Sequence, residues 1–285
     1  MMEIYAKIIE DSMSLYNKRL TTFEISFPKA LLAEFNTHRV FSRSFSSSRA
    51  IPTSKMNTMD TFYPIRWGAN QAGMSAKDED LSPEKQEQAH KIWSDTVEYC
   101  KRASEKLSEL GLHKQWTNRC NDWHTMAKGI VTATEYDNFF ELRCHRDAQP
   151  EIQDLAIKMK SLYESNTPKL LKYGEWHLPY ITEAERNDSN LKENSILQKI
   201  CAARCCRVSY NKHNGESPNV VEDIILFDKL AGSVPKHYSP LEHAATPDVF
   251  NEYDYVWLNP SLHGNFVGWN QFRRFDQLGQ EIISD

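Results

Sequence analysis

Alternation is clearest at residues 23–27, where Phe23, Ile25 and Phe27 are separated by Glu24 and Ser26. A period of two predicts a strand with one face buried. Pro28 then opens a helix, because proline suits a first turn and Leu31, Leu32 and Phe35 recur at helical spacing along "PKALLAEFNTHR". That helix would deliver His38 and Arg39 at its C-terminal end. Residues 53–80 show neither period and read as irregular structure. Ser82 and Pro83 supply an N-cap and a first-turn proline for a long helix that Gly111 stops. Within it Ala89, Trp93, Val97, Cys100, Ala103, Leu107 and Leu110 keep one face apolar, the pattern of a core helix.

The stretch "TEYDNFFELRCHRDAQPEIQDLAIKMKSLY" predicts two helices with a break before Pro150. Phe139, Leu142, Ile152, Leu155, Met159 and Leu162 would face the core, with Glu141 and Glu151 on the solvated side. Residues 164–194 are polar and contain prolines, as a connection would, although "YGEWHLPYI" within them is too aromatic for a free linker. Asn219 with Glu222 starts a further helix that carries Val220, Ile224, Phe227 and Leu230 and ends at Gly232. "HYSPLEHAATP" reads as a loop entering a new element, and "GNFVGWNQFRRF" is the last patterned piece. No repeat of solenoid length is present.

A chain of 285 residues, 40% hydrophobic, can bury a substantial core. The formal charge of −5 argues against a general nucleic-acid coat, which needs broad neutralisation of phosphates, so any basic site must be local. The six cysteines lack the spacing of a secreted scaffold and are expected as free thiols in a reducing cytoplasm. Cys201, Cys205 and Cys206 cluster without a second Cys/His pair at zinc spacing. The first twenty residues carry acids and no long apolar run, so neither a signal peptide nor a membrane span is expected there.

One stretch changes this picture. "HRVFSRSFSSSRAIP", residues 38–52, holds Arg39, Arg43 and Arg49, one histidine, five serines and no glycine. A disordered tail would be poor in apolar residues, whereas Val40, Phe41, Phe45 and Ile51 interrupt this run, so it reads as an ordered anion-binding loop. Guanidinium forks pair with phosphate or with a nucleobase edge, and hydroxyls at short spacing fill the remaining acceptors. Two further polar clusters, Arg119–Arg143 and His237–His243, complete a set suited to a nucleotide.

Together these clusters resemble the flavin-dependent thymidylate synthases, the ThyX family. The first signature stands as Thr37-His38-Arg39-x-x-Ser42 with Ser47 and Arg49 following. "NFFELRCHRDAQPEIQDLA" is similar to the family's helix ending Phe-x-x-Leu-Arg, then Ala-Gln-x-Glu-Ile. "ARCCRVSY" and "HYSPLEH" are similar to the segment that opens the usual family sequence. Here that segment comes last, at about residues 195–250, which implies a circular permutation within a single catalytic domain spanning 1–285. Residues 53–80 and 164–194 have no counterpart in the resemblance.

The resemblance implies an α+β fold, a twisted and mainly antiparallel sheet flanked by helices, assembled as a homotetramer with intersubunit sites. It implies reductive methylation of dUMP to dTMP, with methylenetetrahydrofolate as carbon donor, NADPH as reductant and FAD as cofactor. Carried over by position, Ser47, Ser48, Arg49, Arg119 and Arg143 would bind the substrate, with Arg143, Ser47 and Arg49 the catalytic group. His38, Arg39, Val40, Ser44, Asn138, His237, Ser239 and Glu242 would bind the flavin. No metal, membrane or nucleic-acid partner and no cysteine nucleophile are expected. His145 reads as incidental, and the role of His243 is left open.

The chain departs from the family pattern at Thr37, Ser44, Thr132, Thr134 and Asp147, and Gln271, Arg273 or Arg274 are candidates to supply the missing donors. Two rival readings stand beside this one: a flavin- and folate-dependent change to another pyrimidine nucleotide, such as hydroxymethylation or a cytosine substrate, and a non-enzymatic nucleic-acid-binding protein.

Overall fold

Tyr5–Ser14 (β1) and Arg19–Pro28 (β2) form an antiparallel pair. Their connection passes through Asn17 at φ 57°, a left-handed conformation that asparagine tolerates. The computed structural model describes residues 3–76, 78–191, 195–207 and 219–281. After β2 come a 3-10 turn, Lys29–Leu31, one α turn, Leu32–Phe35 (α1), and the edge strand Ser42–Phe45 (β3). Thr53–Asn57 (α2), Pro83–Glu109 (α3) and Lys114–Thr117 (α4) lead to Met126–Ala133 (β4). Asp137–Arg143 (α5), Pro150–Ser165 (α6) and Lys169–Leu171 (β5) follow.

The remainder holds Glu183–Asn187 (α7), Ile196–Arg207 (α8) and Val220–Ala231 (α9). Ala245–Pro247 (β6), Phe250–Asn251 (β7), Val256–Trp257 (β8), Trp269–Gln271 (β9) and Phe272–Leu278 (α10) complete it. The main sheet has the order β3-β4-β2-β1-β5, antiparallel throughout except for β1 beside β5. This is the expected α+β architecture.

Phe23, Ile25 and Phe27 are buried as the alternation predicts, against Phe139 and Phe140 of α5 and Ile152, Leu155 and Met159 of α6. Each such side chain contributes roughly 1.5–3 kcal/mol. The opposite face is buried too: Thr22 and Ser26 are covered, and Ile130 joins a second cluster with Trp176, Ile200, Cys205, Leu241 and Phe275. The sheet is therefore enclosed on both sides, and β2 hides its polar residues beneath the C-terminal third of the chain.

Several expectations change. The helix after Pro28 is only a 3-10 turn and one α turn, so His38 and Arg39 lie in the turn that follows it. Leu142 is 52% exposed and Leu110 82% exposed, because α5 spends its buried face on Phe139 and Phe140 and Leu110 is the C-cap that follows α3. Glu151, expected in solvent, is buried: its Oε1 accepts from the Ile65 backbone N–H at 2.8 Å, as residues 60–66 fold over the start of α6. Residues 164–194 are no linker, since they carry β5 and the buried Trp176, His177, Leu178 and Ile181. β1 itself has no clean alternation. Its buried Asp11 is matched by Arg19 at 2.6 Å, by Thr21 and by Asn166.

The Asn219 cap on Glu222 N–H and the Gly232 stop on α9 are as predicted. All six cysteines are free. Among the described residues no helix is long and apolar enough to cross a membrane. The end of the "ARCCRVSY" motif, Val208, Ser209 and Tyr210, lies outside the described residues.

Candidate functional site

The turn after α1 is short because His38 N–H and Phe41 N–H close back on Phe35 O and His38 O. This places the His38 ring between aromatic walls, 4.9 Å from Phe139 and 5.8 Å from Phe41. Arg143, the last residue of α5, donates from Nε to His38 Nε2 at 3.0 Å. Its Nη2 reaches Glu34 O and Thr37 Oγ1 at 3.4 Å. Arg43 on β3 donates to the Asn36 and His38 carbonyls, each at 3.0 Å. Burial, then Arg143 and Arg43, hold His38 down to about 4, so the imidazole is neutral near pH 7 and carries its proton on Nδ1.

Beside this turn lies a cleft of about 330 Å³ lined by residues 37–40 with Glu135, Asp137, Asn138 and Phe139. His38, Arg39, Val40 and Asn138 therefore share one cavity. Val40 offers an apolar surface there, 42% exposed. Arg39 and Asn138 are exposed and have no partner among the described residues. The Arg39 guanidinium and the Asn138 amide are donors and Val40 an apolar wall that fit the ring portion of a flavin nucleotide, whereas Glu135 and Asp137 on the same cleft disfavour its phosphates there.

A second group gathers at the other end of β3. The buried Asn118 amide donates to Ser48 O and to Ile51 O, both at 2.8 Å, which pins Ser47, Ser48 and Arg49 beside the turn that carries Arg119. Arg119 pairs with Asp122 at 2.6 Å, whereas Arg49 is exposed and has no partner among the described residues. Ser48 Oγ is buried without a partner. Arg143 belongs with His38 in the first group; the substrate-binding candidates are thus divided between two places along one strand.

The third group covers the opposite face of β3. Ser44 Oγ meets His243 Nε2 at 3.0 Å, and Ser42 Oγ receives the Gln271 amide at 3.2 Å. Glu242 pairs with Arg273, while His237 and Ser239 are exposed on the preceding loop. Of the positions that depart from the family pattern, Ser44, Thr132 and Thr134 have partners here: Thr132 Oγ1 meets His243 Nδ1 at 2.9 Å, and Thr134 Oγ1 accepts from Val267 N–H at 3.1 Å. Shorter hydroxyls dock the C-terminal segment. Gln271 is likewise spent on Ser42, Glu242 and Asn265, and Arg274 on Ser261 O and Gln277. Sequence reasoning gave no role to Arg43, Asn118, His177 or Asn265. Of these only Arg43, inside the Arg/Ser run, carried a visible signal.

A family model described as "Thymidylate synthase complementing protein" matches residues 5–169, more than half of the chain. The chain belongs to the ThyX family. Membership makes it a methyltransferase-type enzyme of the thymidylate-synthase kind. The matched span includes the His38–Arg49 loop, Arg119 and Arg143 and ends before the His237–His243 segment. Two solved structures of the UMP/dUMP methylase PolB from Streptomyces cacaoi, bound with 5-Br UMP and with 5-Br dUMP, are similar to this ThyX-family chain at 14% identity and a TM-score of 0.48. They cover 57% of this chain and 89% and 90% of PolB. No curated protein matches.

Proposed function

We propose that this ThyX-family protein converts dUMP to dTMP by reductive methylation, with FAD as cofactor, methylenetetrahydrofolate as carbon donor and NADPH as reductant. The observation that carries this reading is the Arg143–His38 bond, which joins two signature motifs 105 positions apart at the rim of one cleft. The flavin, when bound, supplies the hydride. Arg39, Val40 and Asn138 hold it. Arg143, oriented by His38, the Glu34 carbonyl and the Thr37 hydroxyl, presents a fixed guanidinium to a pyrimidine carbonyl and stabilises negative charge developing on the ring. Arg49, with the Ser47 and Ser48 hydroxyls, takes the substrate phosphate, and Arg119 supports them. These groups lie in two places at the two ends of β3, an arrangement compatible with a site shared between protomers of a homotetramer. On this reading residues 195–250 take the part of the usual opening segment in a permuted order, and a family match confined to residues 5–169 is compatible with that order.

A second reading, modification of another pyrimidine nucleotide, draws on Ser44, Thr132 and Thr134, whose hydroxyls replace larger donors and are turned toward the C-terminal segment. The test is a purified sample incubated with FAD, NADPH, methylenetetrahydrofolate and dUMP, with the product weighed by mass spectrometry. Gain of one methyl group is expected. Gain of a hydroxymethyl group, or turnover of a cytosine nucleotide in preference to dUMP, selects the second reading, and a protein that binds no flavin and turns over neither nucleotide defeats both.

A further inference from the structure

Five hydrogen bonds run unbroken across the second face of the sheet. Ser12 Oγ meets His177 Nδ1 at 2.9 Å, and His177 Nε2 meets Thr22 Oγ1 at 2.8 Å. Thr22 Oγ1 meets Thr132 Oγ1 at 2.7 Å, Thr132 Oγ1 meets His243 Nδ1 at 2.9 Å, and His243 Nε2 meets Ser44 Oγ at 3.0 Å. The four hydroxyls come from β1, β2, β4 and β3, one from each antiparallel strand. Both imidazoles come from the C-terminal layer. Among the described residues none of the six side chains has any other hydrogen-bond partner. All are fully buried except Ser44, which is half-buried on the edge strand.

Burial pushes His177 well below its ordinary value and His243 down to about 3, so both rings are neutral at neutral pH. Each neutral imidazole then carries one N–H, and each hydroxyl one O–H. Six polar hydrogens serve five links, and one is left over. If the extra hydrogen belonged to Ser12 or to either threonine, it would be stranded in a dry interior, where an unmade bond costs more than a made one returns. At Ser44 it reaches solvent or a ligand. The chain is thereby polarised in one sense: Ser12 donates to His177, His177 Nε2–H to Thr22, Thr22 to Thr132, Thr132 to His243, and His243 Nε2–H to Ser44.

We propose that Ser44 is a hydrogen-bond donor that selects its ligand, with His243 and His177, both protonated on Nε2, as the positioning residues behind it. The identity of the ligand rests on the thymidylate-synthase reading: the ring carbonyl or bare ring nitrogen of a flavin or pyrimidine takes the O–H and is preferred, whereas an amino group at the same point can use only the second lone pair of Ser44 Oγ and leaves the O–H without an acceptor.

Nitrogen-15 NMR of the imidazoles in the unliganded protein at neutral pH reads the tautomers directly. Both rings are expected to carry the proton on Nε2; a proton on Nδ1 of either, or an imidazolium, overturns the proposal. A Ser12→Asp variant places an acceptor at the buried end and is expected to turn both rings to the Nδ1–H form, while unchanged tautomers in the folded variant defeat the coupling. Should that variant fail to fold, the wild-type spectrum still decides. FAD and dUMP, titrated separately against wild type and Ser44→Ala, show which ligand receives the bond: about a tenfold loss of affinity is expected for one of them. Equal affinity for both in the variant refutes donation by Ser44. A wild type that binds neither counts against the thymidylate-synthase reading, with the donor sense still judged by the tautomers.

Discussion

Arg143 reaches back across 105 positions to place its Nε 3.0 Å from His38 Nε2. The pairing sets a charged fork against a neutral ring. Two consequences separate a positioned arginine from a solvated one. In Arg143→Gln the His38 pKa should rise from about 4, since Arg143 is the first cationic neighbour holding it down after burial, and NMR titration of the His38 ring reads the change. The same variant should lose roughly 10²–10³-fold in turnover of dUMP, the usual cost of removing one preorganised donor. A His38 titration identical to wild type would show that the contact is not held in solution.

Stability should fall with acid in a defined window. His38 and His124 are pushed down to about 4 and His243 to about 3, each chiefly by burial, and His177 is lower than its ordinary value for the same reason. Unfolded, these rings take up protons near pH 6.5, whereas the folded protein does not. Their contribution is complete above that pH and is lost as pH falls from about 6.5 toward 4 and 3, by roughly 1.4 kcal/mol per pH unit for each ring across that window. Urea midpoints measured between pH 7 and pH 4 should therefore decline steadily, and a flat profile contradicts the neutral, buried histidines.

Gly129 on β4 faces the Phe45 ring so closely that an added methyl group would overlap its edge. Gly129→Ala must push β3, and with it Arg43 and Ser44, off the sheet edge. A loss of about 1–3 kcal/mol in denaturant unfolding is expected, with weaker flavin binding at equal folded fraction. An alanine variant as stable as wild type would place the β3 edge elsewhere.

Asn118 holds the Ser48 and Ile51 carbonyls with one amide, both bonds at 2.8 Å in a buried position. Asn118→Ala leaves those carbonyls without donors and releases the serine-arginine loop at a cost of about 1–3 kcal/mol. The expected kinetic signature is a raised KM for dUMP with flavin content unchanged. A variant that loses flavin and keeps its KM would instead separate this loop from the nucleotide phosphate.

How much of this was legible beforehand depends on the range of the interaction. Phe23, Ile25 and Phe27 declared their strand because alternation is written in adjacent residues, and Asn219, Gly232 and Pro83 marked helix ends because such signals act within one turn, while Ser82 holds the N-cap position of α3 with its hydroxyl turned to Glu84. The two motifs are short contiguous stretches, so their resemblance to the ThyX signatures was visible in the sequence. The burial of Glu151 under Ile65 N–H could not, because the two are 86 positions apart and nothing local distinguishes a buried carboxylate from a solvated one.

The polar face of β2 was misleading for the same reason. Thr22 looks solvent-facing by period, yet Thr132 from 110 positions away and His177 from 155 positions away both bond its hydroxyl and it is fully buried. The sequence alone determined the β2 strand, the ends of α3 and α9 and the motifs that carry the family resemblance, because each of these is local. Tertiary structure decided which of those residues meet: Arg143 with His38, Ser44 with His243, Asn118 with the Ser48 loop. Pairing across the sheet depends on register, on the order of strands and on what packs above them, and these are settled by the simultaneous burial of both faces, a condition that no local window of residues contains.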